Sequence, residues 1–318
     1  MFKKTIDFNK GFKPVLIGYA IFLALGLIFT LIFGVNLDIN FKGGTRITYS
    51  YTGELDYKTT EALIEETLGK DVNVSESAGL ADDSKKIVIT LVGSDSLSNE
   101  AQQNLAKVLS NKYKDNTFEL YDSNSVNPSV AGAFFAKSIA AVVLTGALVV
   151  LYVGIRFRKI GGVSAGITAF VALFLDIFVA FFICNIFRLP IDSNFMAVIL
   201  TILGYSLNDT IVVYDRVREN KGINPKASTA ELVNESLNTV KVRTIVTTTT
   251  TFLAVVMIIV IAELFGLTSL RSFAIPMAFG LISGCISSLF ISAPLWVVWK
   301  DKAAAKAPKA SKTKAARR

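Results

Sequence analysis

The sequence predicts a membrane α-helical fold of six transmembrane helices, with an external α+β ferredoxin-like domain inserted between helices 1 and 2. Three observations predict it. Of 318 residues, 52% are hydrophobic and the mean hydropathy is +0.51, above an ordinary soluble domain. Apolar runs of span length recur along the chain, each ending in charge. The charge itself is divided. Residues 36–130 carry a net −6 within a chain of net +8, which leaves +14 for the remainder. An acidic block beside basic segments suits opposite faces of a membrane. The basic residues sit at span ends and in the tail, so nucleic acid is not an expected partner.

Residues 1–35 read as a cytoplasmic N-terminus and the first span. Lys3, Lys4, Lys10 and Lys13 precede an uncharged run over 15–35. That run is too long for the apolar core of a signal peptide, and no small-residue cleavage site follows it. Residues 36–130 read as a soluble insert. Strands are expected at 46–51, 72–74, 87–92 and 118–121, and amphipathic helices at 56–68 and 98–112. Leu63, Ile64 and Leu68 mark one apolar face, and Leu105, Val108 and Leu109 the other. The order strand, helix, strand, strand, helix, strand is the split βαβ arrangement. Its acidic surface reads most simply as a solvated face.

Residues 131–299 supply the other five spans, at 138–155, 163–187, 195–214, 244–261 and 273–299. Arg156, Arg158 and Lys159 close the second, and Trp296 and Trp299 anchor the sixth at the interface. A cytoplasmic loop is expected over 215–243, and its stretch 230–242 is amphipathic enough to lie at the membrane surface. Residues 300–318 read as a basic, disordered cytoplasmic tail, solvated in preference to binding anionic lipid or ribosomal RNA, while membrane lipids are expected partners of the spans. Basic termini and basic even-numbered loops agree on one orientation, with the insert external. Cys184 and Cys285 lie in apolar runs and read as small buried hydrophobes. Histidine is absent, so no imidazole can relay protons, and no metal-ligand spacing appears.

Ionisable groups inside a bilayer are costly, about 2.5–3.5 kcal/mol for an aspartate at a helix centre, and mark function by default. Three qualify: Asp176, Asp209 and Arg243. Asp209 shares a helical face with Tyr205 and Val213, with Asn208 and Thr210 beside it. Arg243 opens a threonine run in which Thr247 and Thr251 recur at helical spacing. Each also has a structural reading: hydrogen-bonded helix contacts for the aspartates, and a topology anchor for Arg243. Pro276, Gly280, Gly284 and Ser288 recur every four residues, a stripe that lets another helix approach closely, with Pro276 offering a hinge.

Residues 207–220 (LNDTIVVYDRVREN) resemble the SecF branch of the SecD/SecF protein-export family, within the resistance-nodulation-division superfamily. Further matches are Phe41-Lys42-Gly43-Gly44-Thr45, Val126-Asn127-Pro128, residues 151–157 (LYVGIRF), residues 284–290 (GCISSLF) and Arg243-Thr244 with the threonines after it. The resemblance implies a six-span, non-enzymatic subunit of the bacterial cytoplasmic membrane. It pairs with SecD and uses a proton or sodium gradient to draw preprotein out of the SecYEG channel. Asp209, Arg243 and Asp176 match the family's intramembrane charged residues, and no cofactor beyond the coupling ion is implied. Leu175 stands where the family often has histidine. Asp38-Ile39-Asn40 replaces the usual Gly-Ile-Asp, which unsettles the loop acid's role.

Other readings remain open on these residues. One is half of a transporter for lipids or small molecules in the same superfamily. Another is an intramembrane aspartyl protease using Asp176 and Asp209, although Leu207-Asn208-Asp209 stands where that class favours Gly-x-Gly-Asp. A third is a purely structural assembly subunit, which would not need Asp209 or Arg243 in the bilayer.

Overall fold

The computed structural model of the chain describes residues 5–78, 85–92, 97–113 and 116–306. Helix α1 (Phe8–Phe33) starts two turns earlier than the apolar run. Asp7 caps it, accepting from the Lys10 amide, and Phe8 and Phe12 are buried. Lys10 and Lys13 therefore lie on the exposed side of the first turns, where long side chains reach water while their stems stay on apolar surface.

A short helix, α2 (Ile39–Lys42), was not expected. Asp38 caps it, accepting from the Asn40 amide and side chain. Phe41 stacks on Phe134 and meets Phe135 edge-on. Gly43 turns the chain at φ +79°, and a Cβ there would sit 2.5 Å from the Pro128 Cα, so only glycine fits. The Phe-Lys-Gly-Gly element is thus the joint between the insert and the bundle.

The insert runs β1 (Gly44–Tyr51), α3 (Tyr57–Leu68), β2 (Asn73–Ala78), β3 (Lys85–Val92), α4 (Asn99–Lys112) and β4 (Phe118–Val126). Its sheet has the order β2-β3-β1-β4, with every neighbouring pair antiparallel. Ile47, Tyr49, Ile87, Ile89, Ile64, Leu105 and Leu109 form its core. The Tyr49 hydroxyl donates to the Gln102 carbonyl at 2.8 Å, and burial pushes it up to about 12. Strand β4 continues past residue 121 through Asp122, Ser123, Asn124 and Ser125, with a register shift opposite Thr48 and Tyr49. Its residues are exposed after Phe118. No inward-outward alternation marks such an edge, so the sequence pattern stops early.

The membrane helices follow. Helix α5 (Pro128–Arg156) begins ahead of residue 138, with Pro128 in its first turn and Asn127 as cap. A 3-10 turn (Arg158–Ile160) leads to α6 (Gly162–Ile186), and α7 (Ser193–Ile223) starts at the cap Asp192. Helix α8 (Thr229–Leu264) opens on a capping box of Ser228 and Glu231. Helix α9 (Thr268–Ser287) passes through a π-helical stretch (Ser288–Ser292) into α10 (Ala293–Lys306). Among the described residues, six stretches are long and apolar enough to cross a membrane, the last being Thr268–Ala303.

Two expectations are corrected here. The loop over 215–243 is almost wholly helical, because α7 and α8 extend into it and leave only 224–228 between them. The amphipathic stretch 230–242 does not lie apart on a membrane surface. Its apolar face, with Leu232, Val233 and Leu237, is buried in the chain. Asn234 and Asn238 accept from the Phe8 and Ile6 amides, and Asn9 donates to the Ala230 carbonyl. The expected tail begins as helix α10 up to Lys306, and residues 307–318 lie outside the described residues. Cys184 and Cys285 are both free thiols.

At the other end, the Asp38 amide donates to the Ile191 carbonyl at 3.1 Å and the Ile191 amide to the Asn36 carbonyl at 2.8 Å. Buried Asp38 forms an ion pair with Arg46 of β1. Desolvation pushes the Arg46 guanidinium down, opposed by the charges of Asp192 and Asp122.

Candidate functional site

Polar groups converge where α6, α7 and α9 meet. Asp176 on α6 is fully buried. Its Oδ1 accepts from Ser283 Oγ at 2.6 Å, and its Oδ2 from Ser206 Oγ at 2.8 Å and Ser287 Oγ at 2.9 Å. The Tyr19 hydroxyl of α1 donates to the Ser283 carbonyl at 2.9 Å and sits 2.9 Å from its Oγ. One carboxylate thus ties three helices directly and a fourth through Ser283. Every oxygen of Asp176 is engaged, as a buried carboxylate requires.

Asp209 lies on α7, 4% exposed, and differs from Asp176. Its Oδ2 is buried and has no hydrogen-bond partner among the described residues. Thr210, beside it, pairs with Ser288 across 3.2 Å. The half-buried Tyr205 meets Thr251 of α8 at 3.2 Å, while Asn208 points to the exposed side of α7. The buried face of α7 is centred on Ile202, Ser206, Asp209, Val213 and Val217, which places Tyr205 at its margin. Arg243 is exposed on α8, and no ion pair within 4.0 Å joins it to Asp209 among the described residues. Thr247 back-bonds to the Arg243 carbonyl at 2.9 Å and Thr251 to the Thr247 carbonyl at 3.0 Å, as helical threonines do.

The stripe Pro276, Gly280, Gly284 and Ser288 is buried, and Gly280, Gly284 and Ser288 face α7 of this same chain. A Cβ on Gly280 would lie 2.1 Å from Ile202 Cδ1; one on Gly284 would lie 3.1 Å from Ser206 Cβ and 3.7 Å from Asp176 Oδ2. The small residues therefore let the two hydroxyl-bearing helices close around Asp176. Below it, Tyr214 pairs with Thr168 at 2.8 Å and with Ser292 Oγ at 3.2 Å, and Trp296 donates to Ser164 Oγ at 3.0 Å.

The spacing singled out Asp176, Asp209 and the stripe. It missed Ser206, Ser283, Ser287 and Tyr19, which complete the Asp176 cluster. Lone serines are common in apolar helices, so each carries little signal. The recurrence Ser283, Ser287 and then Ser288, Ser292 at helical spacing is the signal that was available.

The family described as protein export membrane protein SecD/SecF, C-terminal, matches residues 105–302. The protein translocase subunit SecF of Alicyclobacillus acidocaldarius is 31% identical over 299 residues, covering 90% of each chain. The protein translocase subunit SecDF of Bacillus subtilis is 33% identical over 302 residues, 93% of this chain and 38% of its own. The crystal structure of SecDF from Thermus, titled a translocon-associated membrane protein, superposes with a TM-score of 0.80 at 27% identity. That match covers 95% of this chain and 39% of the solved one. This chain is therefore similar to nearly a whole SecF and to about two fifths of a SecDF. The chain is a multi-pass membrane protein and belongs to the SecD/SecF protein-export family.

Proposed function

We propose that this chain is the SecF half of a SecD–SecF unit. That unit uses a proton or sodium gradient to promote late export of polypeptides through SecYEG in the bacterial cytoplasmic membrane. The observation that carries the coupling role is the contrast between the two aspartates. Asp176 has both oxygens filled by serine hydroxyls. Asp209 keeps a buried oxygen with no partner. It can take up a proton, or offer an oxygen to a sodium ion, without breaking an existing bond. Arg243 opens the adjoining helix α8 with no ion pair to Asp209 among the described residues, so an attraction between the two can be made and broken. Alternating charge on Asp209 biases two packings of α7, and rigid helices carry the difference outward.

The exposed face of α7 and α8 supports the SecD partnership. Asn208, Arg243, Thr247 and Thr250 are exposed at or near membrane depth. Lipid is a poor solvent for them, and a second helical half would cover them. The relatives in which SecD and SecF form one chain agree with that reading. A protease would require two carboxylates sharing one site. Here Asp176 faces three serines instead, so the subunit is read as non-enzymatic.

The sheet domain, with its strand order and two helices, is read as ferredoxin-like and external, spanning 36–130. Residues 1–35 and 131–299 form the membrane part, and 300–318 is a cytoplasmic tail. Cysteine labelling tests the orientation. In a chain with Cys184 and Cys285 replaced by alanine, a cysteine at the exposed Glu66 should react from the outer side, and one at the exposed Asn224 only from the cytoplasm. The reverse pattern would overturn the orientation. The function is tested by co-purification with a SecD-like chain and the Sec channel, together with release of a translocating chain with and without an ionophore. Release that ignores the ionophore would remove the gradient from the account.

A further inference from the structure

A groove of about 610 Å³ runs between α5 and α6 at the end where the 3-10 turn joins them. Its walls are Val150, Leu151 and Ile155 of α5 and Val163 of α6. Its floor is backbone. A Cβ on Gly162 would lie 2.1 Å from the Gly154 carbonyl oxygen, and one on Gly166 would lie 3.0 Å from that of Val150, so the helices touch main chain to main chain. The outward side of Gly154, by contrast, faces open space. This leaves a slot of acyl-chain character at membrane depth.

The end of the slot is basic. Arg158 lines it and is exposed. Its neighbours Arg156 and Arg218 pair with Asp215 at 3.4 and 2.6 Å. Arg158 has no ion pair within 4.0 Å among the described residues. Lys159 beside it is exposed too. Lys300 lies against Gly161 and over the Trp296 ring, 5.6 Å from its centroid. Gly161 and Ser164 border the slot at the start of α6, where no side chain caps the helix. A helix start with no side-chain cap, a guanidinium with no ion pair among the described residues, and an ammonium group therefore border the mouth of an apolar slot.

We infer that this groove is a binding site for one anionic phospholipid, with an acyl chain along α5 and α6 and the phosphate at Arg158 and the start of α6. Charge complementarity selects this occupant: a zwitterionic lipid leaves the surplus positive charge of the mouth uncompensated. The site is distinct from the exposed polar face of α7 and α8, and it does not depend on which aspartate couples the ion.

Native mass spectrometry of the purified full chain, with phosphatidylglycerol or phosphatidylcholine of identical acyl chains at equal amounts, tests it. The parent should retain one phosphatidylglycerol preferentially. Arg158→Ala should reduce that retention about fivefold, in line with the weight of one basic residue near an anionic lipid surface. Gly154→Leu points into open space, so it should fill the slot without unfolding the chain and remove the retained lipid. Thermal unfolding of both variants with no added lipid, matching the parent, confirms that they are folded. Free glycerol phosphate should not compete, because the acyl chain supplies part of the binding. Equal retention of the two lipids by the parent, undiminished phosphatidylglycerol in either folded variant, or displacement by glycerol phosphate would each overturn the proposal.

Discussion

Asp209→Asn should reduce gradient stimulation of export to background while the complex still assembles. The substitution keeps the size of the side chain and removes the change in charge. Asp209 Oδ2 has no hydrogen-bond partner among the described residues, and the amide removes a buried charge there, so stability should hold or rise. Taking an ionised carboxylate out of water costs more than burying a neutral amide of the same shape. The measurement is release of a translocating chain with and without the gradient, at matched amounts of complex. Retained stimulation would leave Asp209 a structural residue. Arg243→Lys keeps the charge and loses the planar fork, so it should weaken coupling without affecting insertion. Asp209→Glu keeps a titratable group in a displaced position, and partial activity is expected.

Gly284→Leu should damage the bundle itself. Its Cβ would already press on Ser206 at 3.1 Å, and the rest of the side chain has only the Asp176 cluster to enter. Overpacking of this kind costs about 1–3 kcal/mol, and displaced serines would leave Asp176 under-bonded as well. The unfolding midpoint of the purified chain should fall and export should fail with it. Gly284→Ala needs Ser206 to yield by a few tenths of an ångström, so its midpoint should lie close to the parent's. A Leu variant as stable as the parent would mean that α7 and α9 do not close as described.

The contrast between those two residues shows how far the sequence could be read. A charge in an apolar helix is conspicuous, and so is a glycine every fourth residue, so Asp176, Asp209, Gly280 and Gly284 were all legible. The order of the six spans and of the insert's strands and helices was legible too, because hydrophobic periodicity persists through them. Partners were harder. The stripe was known to need a close neighbour, but periodicity on one helix does not say which neighbour, and it proved to be α7. Serines 206, 283 and 287 acquire meaning only when three helices bring them to one carboxylate. The length of α7 and α8 was underestimated because charged residues ended the apolar runs. Helix α8 starts early on intrachain burial of Leu232, Val233 and Leu237 and the cap at Ser228, and α7 continues past Tyr214 with Val217 and Asn220 buried. Short α2 and the outer part of β4 are too brief or too polar to register.

The bridge between Leu37 and Ile191 has one further consequence. Leu37 leads from α1 into the sheet domain, and Ile191 lies in the turn that launches α7. Two main-chain bonds and the Asp38–Arg46 pair therefore fasten the base of β1 to the start of the helix that carries Asp209. A rocking of α7 would not dissipate in a slack tether. It would arrive at the sheet as torque through a stiff coupling of one turn's length. The sheet domain itself would then be the lever arm, and a small angle at the start of α7 would become a larger excursion at its far strands.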